Sequence, residues 1–403
     1  MTDESVVLLH EITAAQGKRV SRRKRRVVFL VHASETFSAL EPIAEELRRR
    51  PDVFETIFIA LPREYGGMGT GSYSGLDVTF EFLDKKGYDP IPLAGASLDD
   101  IQLLIRLAPD FVFRQSPWEN DIPPAFHNRM LAFTRVCYVP YSPMQIDEPE
   151  NTYNQEFHNR AELIFCESDY HRELYRKHRK LRTVGVHATG YPRFEKFIGD
   201  LDSAEPVWPL DAPADVPKVI WAPHHTVHAG WLGRSTFLTH AATMLEEALR
   251  GRLSILLRPH PALRDAMVKQ GHMSEADYDD YMRVFGSAGV SGVDTNREYI
   301  QSFKASDCMI TDGIGFFAEY ALTGKPLLQT TRPDNGPLND WGNWIIAGTD
   351  KIPDGATLTR KLDELATGTY VDTTADIRAE RRAGLREGAL GATARIVDIL
   401  EHA

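Results

Sequence analysis

The chain has 403 residues, 42% hydrophobic and 26% charged, enough apolar material for two globular cores and too much for a disordered protein. A formal net charge of -11 excludes a general nucleic-acid binder, because neutralising a phosphate backbone takes a basic surface. Cys137, Cys166 and Cys308 form no CxxC pair, so neither a zinc site nor a disulfide framework is suggested, and no apolar run approaches the ~20 residues of a spanning helix; a reducing cytoplasm fits.

Residues 1–26 form a basic extension, the amphipathic "ESVVLLHEI" followed by "GKRVSRRKRR" with seven positive charges in ten residues. Two readings stand side by side: peripheral contact with an anionic membrane, where each basic residue adds about 1 kcal/mol, and a solvated tail. "RRVVFLVHASETFSALEPIAEELRRR" then gives a β-branched run, a turn with Ser34, Thr36 and Ser38 as N-cap candidates, and apolar residues at helical spacing. Its apolar part is too short for a signal peptide and contains His32. Similar units recur at "FETIFIALP", "LDDIQLLIRLAPDFVFRQSPW", "TRVCYVPYSP" and "AELIFCESDYHRELYRKH", an alternation that predicts a parallel sheet covered by helices over residues 27–198.

Residues 199–217, with four prolines and five acidic residues counted over "GDLDSAEPVWPLDAPADVPK", read as a linker. The alternation restarts over residues 218–375 with "KVIWAPHH", "TFLTHAATMLEEALRG", "LSILLRPHP" and "REYIQSFKASDCMITDGIGFFAEYALTGKPLLQTT". Residues 376–403 read as a helix packing back across the domains. The predicted fold is α/β, two Rossmann-like doubly wound parallel sheets.

Ligands of open α/β sheets sit outside the carboxyl ends of the strands, and three polar stretches of the second half fall there. "TDGIG" places Asp312, Gly313, Ile314 and Gly315 at a strand-to-helix turn whose amides suit a phosphate, or whose glycines serve only the turn. "RPHP" sets Arg258, a fixed cation, and His260, a titratable donor, on a backbone stiffened by Pro259 and Pro261. "APHHTVH" groups His224, His225, Thr226 and His228. No carboxylate stands at ligand spacing, so no metal is expected, and an imidazole binding the donor's phosphate or base is preferred.

In order, these stretches resemble the CDP-glycerol glycerophosphotransferase family of teichoic-acid and capsule synthesis, over roughly residues 105–330. "APDFVFRQSPW", "CYVPYSP", "GYPRFEKF", "VIWAPHHTV", "LRPHP" and "ASDCMITDGIGFFAEYALTGKPLL" carry the resemblance. It implies a GT-B fold with lobes facing across a cleft, acceptor in the N-terminal lobe and donor in the C-terminal one. It also implies metal-independent, cofactor-free catalysis with His260 and the Asp312 turn holding phosphates. Two departures stand out. Gly313, Ile314 and Gly315 replace a tyrosine and two serines, and "VPYSPMQ" replaces the histidine-glycine motif proposed to activate the acceptor.

His32 is a substitute base, or a residue that orients the following helix; Glu35 and Tyr141 are lesser candidates on the acceptor side. Glu319 is placed to reach a ribose hydroxyl, and Lys325 to stabilise a helix end. The expected activity is transfer of glycerol phosphate, or a similar polyol phosphate, from a CDP-linked donor to a glycan or lipid-linked hydroxyl, with Arg258 and His260 neutralising the departing CMP. The partners are that nucleotide-activated donor and that acceptor, with no nucleic acid. A sugar-nucleotide glycosyltransferase and a non-catalytic nucleotide-binding module are the alternatives.

Overall fold

The computed structural model describes residues 3–21, 24–64, 71–181, 185–228, 232–296 and 298–403. The chain forms two units, the first from residues 1–144, 148–196 and 388–403, the second from residues 145–147 and 197–387.

Seven strands build the first sheet: β1 (Arg25–Val31), β2 (Phe54–Ala60), β3 (Ile91–Pro92), β4 (Phe111–Arg114), β5 (Arg135–Tyr138), β6 (Leu163–Cys166) and β7 (Val186–Ala188). All pairings are parallel, in the order β3-β2-β1-β4-β5-β6-β7. The β1 run is apolar at every position from Val27 to Val31 because helices cover both faces, and all five side chains are buried. Phe29 stacks between Phe58 and Phe113, with ring centroids 5.2 and 5.1 Å away.

The second sheet has β8 (Lys218–Ala222), β9 (Ser254–Leu257), β10 (Gly292–Val293), β11 (Cys308–Thr311), β12 (Leu327–Thr330) and β13 (Asp350–Ile352). They are again parallel, in the order β10-β9-β8-β11-β12-β13. Strand order reverses between β1 and β4 and between β8 and β11. These two switch points are where doubly wound sheets open a crevice for ligands. The three cysteines are buried free thiols.

Several local expectations change. Ser34, Thr36 and Ser38 do not cap the first core helix, which begins at Glu41 after a 3₁₀ turn, with Leu40 in the cap position and Pro42 in its first turn. The 199–217 segment is not wholly irregular, since the helix Pro192–Ser203 runs into it. The C-terminal helix is two, Ala375–Ala389 and Ala392–His402, separated at Gly391 with φ of +73°. Only the second of them joins the first unit, where Glu195 accepts from the amides of Gly391 and Thr393 at 2.7 and 2.9 Å.

The basic extension is helical over Asp3–Ser21. Ala15 is buried, and Leu8 and Ile12 pack against the core of the first unit. Glu11 pairs with Arg106 at 2.7 Å. Leu8, Ile12 and Ala15 therefore face the core of the first unit. The side chains of Val6, Val7, Leu9, Arg19, Arg22 and Arg23 lie outside the described part of the chain. Among the described residues no helix is long and apolar enough to cross a membrane.

Candidate functional site

The stretches that follow β8, β9 and β11 converge at the second switch point. Past the strand ends, the Arg258 amide donates to Trp221 O at 2.8 Å and the His260 amide to Pro223 O at 3.2 Å, so the two loops run on in register. This packs His224, His225 and His260 together, with ring centroids 4.4 Å (His224–His225), 5.1 Å (His224–His260) and 4.1 Å (His225–His260) apart.

One ring nitrogen from each lies within 4.8 Å of the others, a spacing open to a metal ion, the reading set aside from the sequence of the first two. The hydrogen bonds behind the rings favour an anion instead. His224 Nδ1 accepts from the Thr226 amide at 3.3 Å and meets the Thr226 hydroxyl at 2.9 Å, and His260 Nδ1 accepts from the Ala262 amide at 3.1 Å. A neutral imidazole that accepts at Nδ1 carries its proton on Nε2 and presents an N–H donor there. Metal ligation at Nε2 would need the opposite tautomer, with Nδ1 donating. Burial keeps the rings neutral: it lowers His225 to about 4 and His260 to about 3, and holds His224 well below 6.5. His225 Nδ1 is buried with no partner among the described residues.

Asp312 sets this arrangement from behind. Its carboxylate accepts from the His224 amide at 2.5 Å, the Thr236 amide at 2.5 Å and the Thr236 hydroxyl at 2.6 Å. It is 2% exposed, and burial raises its pKa. Asp312 is thus a positioning residue, not the direct phosphate contact expected of it. The Gly313 amide is also engaged, donating to Thr311 Oγ1 at 2.9 Å. The amides of Ile314 and Gly315, at the start of the helix Ile314–Ala321, have no acceptor among the described residues. A Cβ on Gly315 would meet nothing within 4 Å, so the approach to these amides is open.

Four further expectations are corrected. Arg258 is 8% exposed and engaged: it forms an ion pair with Asp294, donates to Asn296 O at 2.5 Å and lies 5.2 Å over the Tyr299 ring. Glu319 is 2% exposed and accepts from the Tyr299 hydroxyl at 2.6 Å, so it braces Tyr299 and does not reach out to a ribose. Thr226 Oγ1 is held between His224 and the Arg234 amide. Lys325, expected to stabilise the end of the helix that follows the Asp312 turn, donates instead to the carbonyls of Phe303, Lys304 and Ser306 at the end of the helix Ile300–Ala305. Sequence reading missed Arg234, whose charge acts on His224 and whose Nε is buried without a partner among the described residues. Only the arginine inside "WLGRSTF" could have signalled it.

In the first unit, the β1/β4 switch point carries His32. Gln115 Oε1 accepts from the amides of His32 and Ala33 at 2.9 and 3.0 Å and so fixes the turn. The His32 ring lies 3.4 Å from Ser116 Oγ, which donates to Asp121 at 3.4 Å. Burial, then Arg114 and Arg63, hold His32 well below 6.5, which makes it a weak base. Asp121, unremarked in "SPWENDIPP", is a partly exposed carboxyl that burial raises above its ordinary range. Glu35 is paired with Arg63, and the Tyr141 hydroxyl accepts from Trp118 Nε1 at 3.4 Å with its pKa raised by burial.

Residues 139–333 match the family described as CDP-Glycerol:Poly(glycerophosphate) glycerophosphotransferase. No curated protein sequence matches the chain. Among solved structures, UDP-GlcNAc 2-epimerase from Neisseria meningitidis bound to UDP-GlcNAc aligns with TM-score 0.58 at 14% identity, covering 94% of this chain and 100% of that one. The UDP-GlcNAc 2-epimerase from Methanocaldococcus jannaschii aligns with TM-score 0.56 at 12% identity over 94% and 100% of the two chains. The wall teichoic acid polymerase TagF aligns with TM-score 0.56 at 12% identity over 98% and 94%. These likenesses bear out the expected two-sheet GT-B fold class, and the family match bears out the resemblance read from the motifs.

Proposed function

We propose that this chain, whose residues 139–333 match the model of the CDP-glycerol:poly(glycerophosphate) glycerophosphotransferase family, moves glycerol phosphate from CDP-glycerol to a hydroxyl of a growing cell-surface polymer. The observation that carries the reading on this chain's own residues is the convergence of three neutral imidazoles with two free amides at the second switch point. In a partly desolvated crevice these neutral donors offer a diphosphate hydrogen bonds, and Arg234 adds a fixed positive charge beside them.

In the reaction the acceptor oxygen forms a bond to the phosphorus that bears glycerol. The bond from that phosphorus to the bridging oxygen breaks, and CMP leaves with the electron pair. His260 and His225 donate Nε2–H bonds to the phosphate oxygens as charge moves onto the departing CMP. Within the first unit, Asp121 beyond β4, partly exposed and hydrogen-bonded by the Ser116 hydroxyl, is the carboxylate suited to take the proton of an acceptor hydroxyl. The tautomers of His224 and His260 support a reaction in which no metal binds this trio. Action on a membrane-bound acceptor at the cytoplasmic face, aided by the basic residues of 1–26, completes the reading.

Calorimetric titration with CDP-glycerol, CMP, UDP and GDP in the presence of a chelator tests it. Cytidine-selective binding that His260→Ala weakens about a hundredfold supports the reading, and binding of UDP or GDP alone overturns it in favour of a sugar nucleotide.

A further inference from the structure

The stretch "VPYSPMQ", which stands in place of an acceptor-activating motif, ends at Gln145. There the chain changes unit: residues 145–147 belong to the second unit, although residues up to 144 and from 148 to 196 belong to the first. This short segment is built into the second unit as a strap. Ile146 forms an antiparallel bridge with Leu338, the Asn339 amide donates to Gln145 O at 2.9 Å, and the Asp147 amide donates to Pro337 O at 3.1 Å. The strap lies so close to the helix Asp340–Ile346 that a Cβ on Gly342 would stand 2.5 Å from Gln145 O. Asn339 holds that glycine in turn, accepting from its amide at 2.8 Å.

With its backbone fixed in this way, the Gln145 side chain is fully buried, and its Nε2 donates to Ile314 O at 2.7 Å. Ile314 opens the helix Ile314–Ala321, whose first amides are the free donors of the site. The helix does little to fix that turn by itself. Its cap position is Gly313, which has no side chain to bond the first amides, and Gly315 follows Ile314. Glycines on both sides leave Ile314 with the backbone freedom that glycine brings. A bond from outside the helix to the residue between them removes it.

We infer that Gln145 is a positioning residue for the donor: by holding the Ile314 carbonyl it sets the direction of the Ile314 and Gly315 amides before an anion arrives. The inference rests on the reading above in which these amides hold the donor's phosphates. Donors aimed in advance need no ordering when the anion binds, so the bond contributes to affinity without touching ligand.

The test uses the full chain labelled with ¹⁵N-glycine, with inorganic pyrophosphate and CDP-glycerol as probes. The Gly315 amide is assigned by the resonance lost in Gly315→Ala, where the added Cβ meets nothing within 4 Å. In Gln145→Met, a side chain of similar length with no N–H, this resonance moves in the empty protein, and both probes bind about tenfold more weakly by calorimetry. Thermal stability changes little, because the variant also removes Gln145 Oε1, a buried acceptor with no partner among the described residues. Gly342→Ala, which presses on the strap from its other side, weakens pyrophosphate in the same direction. Wild-type affinity in Gln145→Met with the Gly315 resonance unmoved overturns the inference, whatever happens to stability, and so does pyrophosphate that leaves the wild-type Gly315 resonance in place. Pyrophosphate bound at Gly315 with no preference for CDP-glycerol over UDP or GDP counts against the transferase reading alone, so the two failures are distinguishable.

Discussion

His225 is the group through which pH should control donor binding. Its neighbours His224 and His260 accept backbone amides at Nδ1, so protonating either there breaks an existing hydrogen bond. His225 Nδ1 has no partner to lose. In the empty site burial lowers His225 to about 4, so it stays neutral down to mildly acid pH. A bound diphosphate supplies the negative charge that favours the imidazolium, and binding takes up a proton. Return of His225 from about 4 to its ordinary 6.5 raises affinity roughly tenfold between about pH 8 and pH 5.5. CDP-glycerol is the ligand to use, because its diphosphate diester does not itself titrate in that range. Calorimetry in buffers of different ionisation enthalpy counts the protons taken up: approaching one per site at pH 5.5, near zero at pH 8, and near zero throughout in His225→Asn. The empty protein behaves in the opposite sense. An imidazole depressed in the folded state binds its proton more readily when unfolded, so stability falls as pH drops below 6.5 toward the folded values of about 4 and about 3 for His225 and His260. Affinity that is flat across this range in the wild type, with no proton uptake, refutes the reasoning.

Other consequences can be measured alongside. Arg258→Met strands the Asp294 carboxylate and should cost about 3 kcal/mol or more in urea unfolding, while Arg258→Met/Asp294→Leu recovers most of it; a single variant as stable as wild type contradicts the buried pairing. Asp121→Asn should lower kcat by about 10² or more with the affinity for CDP-glycerol unchanged, and an equal loss in His32→Asn alone would transfer the role of base to His32. Asp312→Asn removes the charge that holds the His224 and Thr236 amides, and should weaken CDP-glycerol binding even though the side chain touches no ligand; calorimetry showing wild-type affinity would dismiss its positioning role. Gly391→Ala, at φ of +73°, should lower stability by about 1 kcal/mol in thermal unfolding.

What the sequence disclosed follows from burial. β1, β8, β9 and β11 lie inside their sheets, covered on both faces, so they appear as apolar runs that end abruptly in polar residues. The strands that the reading did not single out are β3, β7, β10 and β13, the four sheet edges. Each has two or three residues and is at least partly exposed, too short to leave a hydrophobic signature. His260, His225 and the Asp312 turn were legible because each directly follows a central strand.

The partners of those residues were not legible, and they changed the roles. Asp294 follows the two-residue edge strand β10, and it is what turns Arg258 from a free cation into half of a buried pair. Tyr299 lies on a turn before a six-residue helix and takes Glu319 out of reach of a ligand. An ionisable residue at a strand end announces that a site is near. Whether it faces the ligand or holds the loop depends on the neighbour that completes its hydrogen bonds, and these neighbours stand 36 and 20 residues away in sequence. The site is therefore built from a row that sequence reading could find, the imidazoles and amides, and a supporting row of Asp312, Thr236, Arg234 and Asp294 that only the fold brings into contact.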